Sequence, residues 1–323
     1  MPRSHPVQPN VPDLTVHGRV PDPVRLLLAY LALVFVGGAL LAPWAWTLVQ
    51  ELAPGSALAH QPFRRYVDRC LLGVALLGLW PMARIGWFPG WRSVGLGWHP
   101  GARGQLLRGW AGGMLSLAAV AGAAIGFGAR GWNSDHPLSL YLLHVARALG
   151  AAIAVSFMEE LLFRGMILGA LRRRYSFGLS ALASSVLFAV IHFFRRPDPP
   201  DSVGPWTGLG MLAKMLSGLA DPAWLLPGFL TLGWIGWILA WCRERTGSLW
   251  LPLGLHAGWI FWFKSYQFLT VPALHSGSWA WWWGSTRLHD GWLTLLVLGL
   301  TALVLMRGVD RTDGRVEPRP SPG

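Results

Sequence analysis

Eight long apolar runs set the terms for this chain. They fall at about 25–49, 67–88, 107–128, 138–171, 177–194, 223–242, 248–269 and 291–307. A helix needs about 20 such residues to cross a bilayer core roughly 30 Å thick. The expected fold is therefore all-α, a polytopic transmembrane helical bundle of about eight spans. A polar, Pro-rich tail over 1–22 is expected to precede one transmembrane domain over 23–307, with a second polar tail over 308–323. The fourth run is long enough to tilt or to project beyond the lipid. Residues 195–222 read as a Pro-rich loop with a short half-apolar stretch, interfacial or re-entrant. Trp279, Trp281, Trp282 and Trp283 read as an aromatic belt at one surface. The N-terminal tail has no cleavable apolar core, so the first span is expected to serve as the insertion signal.

Composition agrees with that reading. Only 13% of residues are charged, where a soluble domain carries about 25%. The 21 Trp and 40 Gly suit interfaces and spanning helices. The net charge of +12 comes from basic residues set singly or in small groups between the apolar runs. They form no stripe and no RNA-binding signature, which excludes a nucleic-acid partner and favours juxtamembrane Arg meeting membrane lipids. Cys70 and Cys242 make neither a disulfide framework nor a CxxC zinc signature. With eight spans and the N-terminus inside, 16 Lys and Arg lie inside against 10 outside. Both termini are thus expected in the cytoplasm. The Ala, Gly, Arg and Pro bias points to a GC-rich bacterial genome, and so to a bacterial cytoplasmic membrane.

Against this background three charges stand out. Glu159, Glu160 and Arg164 lie mid-run in the fourth apolar segment, where each costs about 2.5–3.5 kcal/mol on insertion scales. Glu160 and Arg164 are four apart and share a helix face, so they can pair. Glu159 points about 100° away from Glu160 and is left to face a cavity. His192, one turn after Phe188, lies in the fifth run, and His256 lies in the seventh. The midpoint of Glu159 and His192 falls in the turn between Arg174 and Gly178, so an antiparallel hairpin puts the two at equal depth. At about 1.5 Å per residue both lie roughly 20–25 Å from the cluster Arg172–Arg174, and His256 lies about 16 Å beyond Arg245. Glu159, Glu160, His192 and His256 therefore share one layer. A desolvated carboxylate facing an imidazole suits proton transfer to and from water, and a second imidazole suits donation to an oxyanion.

At these residues the chain resembles the CPBP family of intramembrane proteases, which includes the prenyl-protein CAAX proteases and the bacteriocin-processing, Abi-type proteins. The family pattern is EExxxR, FxxxH and HxxxN or HxxxD. The first stands here as Glu159 to Arg164, the second as Phe188 to His192, and the third begins at His256. The resemblance covers about 140–265. It implies an intramembrane endopeptidase acting on a membrane-associated protein or peptide, with no cofactor. It also implies that Glu159 activates water with His192, that Glu160 and Arg164 support the site, and that His256 holds the oxyanion. Where the family carries its next polar residue this chain has Ile260; the indole N–H of Trp259 is the nearest substitute.

Three alternatives stay open at this point. Zinc is one, with Glu160, His192 and His256 as its ligands. A non-catalytic membrane scaffold is another, favoured by Ile260. A transporter is the third, though the chain shows no internal repeat. The sequence carries no mark of an oligomeric state.

Overall fold

The computed structural model describes residues 22–84, 90–220, 226, 228–273, 280–284 and 288–312. The N-terminal tail up to residue 21, Trp279 and the C-terminal tail from 313 lie outside the described residues. Helix α1 (Pro23–Ala32) is capped by Asp22, which accepts from the Val24 N–H at 2.9 Å. A π-helical turn (Leu33–Gly37) carries it into α2 (Gly38–Leu52). Then come α3 (Phe63–Arg84), α4 (Ala102–Gly126), strand β1 (Arg130–Trp132) and α5 (Leu138–Glu160). A second π-helical turn (Leu161–Ile167) continues α5 into α6 (Leu168–Arg172). Helices α7 (Phe177–His192), α8 (Thr207–Leu216), α9 (Gly228–Thr246) and α10 (Trp250–Leu269) follow. Strand β2 (Thr270–Pro272), the short α11 (Ala280–Trp283) and α12 (Trp292–Thr312) complete the order.

The described chain is thus mostly helix, and a helix stands in each of the eight apolar runs. Three helical stretches among the described residues are long and apolar enough to cross a membrane: Val24–Leu52, Ala102–Gly126 and Leu138–Arg172. Phe177–His192 and Trp292–Gly308 are apolar but shorter. Several boundaries differ from the expected ones. Helix α3 starts at Phe63, directly after Pro62, and α9 starts at Gly228, directly after Pro227; proline favours helix starts because it fixes φ and needs no N–H partner. Helix α12 runs on to Thr312, past the expected end at 307. Within 195–222 the half-apolar stretch is α8, which buries Gly208, Met211, Leu212 and Met215. Among the described residues the one sheet is a two-stranded ribbon, antiparallel, with Gly131 opposite Val271.

The most extensive helix–helix contact lies between α4 and α10. Both helices carry glycines four apart, Gly109 and Gly113 on α4, Gly254 and Gly258 on α10. A Cβ on Gly254 would lie 2.0 Å from the Leu106 carbonyl oxygen, and one on Gly113 would lie 2.2 Å from the Leu255 carbonyl oxygen. The two backbones therefore touch along a reciprocal small-xxx-small seam. Indole donors fasten it: Trp259 Nε1 donates to Ser116 Oγ and Trp262 Nε1 to the Met114 carbonyl, each at 2.9 Å. Beyond the seam, Arg130 donates to Thr270 Oγ1 at 3.1 Å and to its carbonyl at 3.0 Å, pinning β1 to β2. At the other end Arg172 grips Glu244 with two bonds, at 2.7 and 3.2 Å, and ties α6 to α9.

Candidate active site

His256 lies between the two seam glycines of α10, so the α4 contact fixes its height and direction. Helix α10 also packs along α5, which brings His256 to the end of that helix. Its Nδ1 is 2.8 Å from Glu160 Oε1. The same oxygen accepts from Arg164 NH1 at 2.9 Å. An ionised carboxylate only accepts, so Nδ1 of His256 is the donor. Arg164 spends NH2 on the Gly236 carbonyl at 3.3 Å. At Gly236 α9 comes close against α7: a Cβ there would meet Ser185 Cα at 2.9 Å. The Arg164 guanidinium also stands over the Phe188 ring, 4.6 Å from its centroid, a cation–π contact in a desolvated setting. Glu160, Arg164 and His256 are sealed off, with side-chain exposures of 0, 1 and 4%. Two charges so deep are tolerated only when paired and hydrogen-bonded.

Glu159 turns the other way. Its Oε2 lies 3.6 Å from His256 Nε2 and 3.9 Å from His192 Nε2. Both distances exceed a hydrogen bond, and Oε2 has no such partner among the described residues. His192 is the last residue of α7. Its Nδ1 lies 2.7 Å from the Phe188 carbonyl, which can only accept, so the neutral ring carries its lone pair on Nε2, toward Glu159. Phe188 thus braces three groups, its ring centroid 4.5 Å from that of His192 and 5.8 Å from that of His256.

Glu159 also lines a cavity of about 360 Å³. The wall comes from the first π turn (Val34, Phe35), from α3 (Leu71, Leu72), from the second π turn (Leu162) and from α7 (Ile191). Asp68, Arg195 and Arg196 supply its charged lining. These three were not legible as site residues, because no motif marks them and their approach to the Glu159 face is tertiary.

The four expected residues therefore meet: His256 stands beside both glutamates, and His192 stands beside Glu159. Trp259 does not join them, since its N–H is committed to Ser116 across the glycine seam. Ile260 is buried in an apolar cluster with Ala148, Ala152, Ala257 and Phe261. The zinc trio does not form. No group of three His, Cys, Asp or Glu among the described residues is placed to hold a metal ion, and the Arg164 cation already occupies Glu160. Cys70 and Cys242 are free thiols.

A family model described as Type II CAAX prenyl endopeptidase Rce1-like matches residues 137–262. No curated protein and no solved structure matches the chain. The matched stretch runs from the start of α5 to within α10 and holds Glu159, Glu160, Arg164, Phe188, His192 and His256. Through residues 137–262 this helical membrane protein is therefore similar to the type II CAAX prenyl endopeptidases.

Proposed function

We propose that this protein is an intramembrane endopeptidase that hydrolyses a peptide bond of a membrane-associated protein, with water activated by Glu159 and His192. The observation that carries the reading is the contrast between the two adjacent carboxylates. Glu160 is neutralised by Arg164 and His256, whereas Glu159 faces a cavity between two imidazole Nε2 atoms.

A water held by Glu159 Oε2 and His192 Nε2 attacks the scissile carbonyl carbon. One proton passes to Glu159 or His192 as the C–O bond forms. His256, with Nδ1 donating to Glu160, carries a second proton on Nε2 when it is imidazolium and keeps it while hydrogen-bonding the oxyanion. The C–N bond then breaks, and the proton held by the Glu159–His192 pair goes to the leaving amine. Arg164 and Phe188 hold Glu160, His192 and His256 in register and touch no reacting atom.

The eight long helices are read as eight spans, in a bacterial cytoplasmic membrane with both termini in the cytoplasm. Reporter fusions at each inter-helix loop test this, and a periplasmic N-terminus overturns it.

A second reading rests on Ile260. An apolar residue fills the position where the family carries a polar one, which favours a scaffold that kept the fold without the chemistry. Mass spectrometry of membrane-protein termini separates the two readings. It compares cells with the gene, without it, and with Glu159→Ala or His192→Ala at matched expression. Termini that depend on the protein and vanish in both variants support the hydrolase. Unchanged termini, or variants that rescue every effect of deletion, support the scaffold.

A further inference from the structure

A second cavity, of about 490 Å³, lies on the other face of α3 from the one that Glu159 lines. Its walls are Ala45 and Val49 of α2, Ala57, Leu58 and Gln61 of the connecting segment, and Arg65, Tyr66, Arg69 and Cys70 of α3. Arg65 and Arg69 are one turn apart, so both guanidinium groups reach the same space. Both are exposed, as are Ala57 and Leu58 at the mouth. Tyr66 spends its hydroxyl on the Leu58 carbonyl at 2.8 Å, which fixes the wall between them.

Charge is unbalanced here. Asp68 is one anion within electrostatic reach of Arg64, Arg65, Arg69 and Arg196. It lines the Glu159 cavity and not this one. Arg65 and Arg69 sit in the first two turns of α3, about 3–9 Å along the axis from its start. That is the depth of lipid headgroups when α3 crosses a bilayer. Two forked cations over apolar walls match a phosphate group with acyl chains attached.

We infer that the cavity between α2 and α3 is a binding site for the phosphate of an anionic phospholipid, held by Arg65 and Arg69. The site stands apart from the proposed peptidase centre and does not rest on it. Its ligand chemistry is shared with free phosphate; the apolar walls assign the lipid.

Native mass spectrometry of the full chain, released from nanodiscs of mixed phosphatidylglycerol and phosphatidylcholine, tests the site. The expected result is one retained phosphatidylglycerol, enriched over phosphatidylcholine. At about fivefold for each basic group near an anionic lipid, Arg65→Gln with Arg69→Gln weakens retention about thirtyfold. Ala57→Trp, which keeps both arginines and fills the mouth, lowers it as well. Arg64→Gln, outside the cavity lining, leaves it unchanged and shows that removing one charge from this patch does not unfold the chain. Equal retention of the two lipids overturns the inference. So does undiminished retention by the Arg65/Arg69 variant, or full displacement of the lipid by excess inorganic phosphate, which assigns a free-phosphate site.

Discussion

The back and the front of the Glu159–Glu160 pair are built on opposite plans. The back is α10 locked on α4 through four glycines, with Glu160, Arg164 and His256 sealed behind it. The front is a cavity walled by α1, the first π turn, α3 and α7, where Glu159 and His192 keep side-chain exposures of 16 and 30%. One residue step along α5 separates a carboxylate that is charge-paired and dry from one that is open. The same functional group thus serves as a structural anchor on one side and as the proposed reactive base on the other. The back must be rigid, because His256 contacts both carboxylates and sets their spacing.

That contrast can be broken from either side. The largest expected effect is on chemistry: Glu159→Gln lowers turnover about 10²–10⁴-fold and leaves thermal unfolding in detergent nearly unmoved. A large fall in melting temperature would make Glu159 structural too. Arg164→Met is expected to do the reverse. It strands a buried Glu160 carboxylate and costs about 3–5 kcal/mol of stability, read as lost folded protein. The double variant Glu160→Gln with Arg164→Met recovers part of that loss, because no unpaired charge remains. Gly254→Leu comes next, with overpacking against the Leu106 carbonyl costing about 1–3 kcal/mol or more. It should also disturb His256 and slow turnover. Phe188→Leu removes the ring beneath Arg164, a loss of about 0.5–2 kcal/mol with a smaller effect on rate. The smallest effect belongs to chelators, which should leave turnover unchanged, since Arg164 holds the carboxylate that zinc would need. Inhibition by a chelator, relieved by added zinc, would reverse that prediction.

Much of the centre was legible along the chain. Glu160 and Arg164 pair as their spacing requires, and Glu159 and His192 meet because equal distances from the 173–176 turn give equal depth. Both arguments use only helix rise and period. What failed has a common cause. The indole of Trp259 reads as free for an oxyanion until α4 presents Ser116. The π turn over Leu161–Ile167 has no sequence signature, and neither do Asp68, Arg195 and Arg196 as cavity lining.

The sequence alone determined the helical membrane architecture, because apolar length is a local property. It also determined which side chains were too costly to be idle, because a charge in a span needs a partner. Only the tertiary structure decided which carboxylate was paired with both Arg164 and His256, through its Oε1, and which faced the cavity. That choice depends on contacts between α4, α5, α7, α9 and α10, residues up to about 140 positions apart, as in the Trp259–Ser116 bond over 143 residues. Its physical reason is close approach: the glycines of α4 and α10 let two backbones touch, and that contact carries His256 to the glutamates.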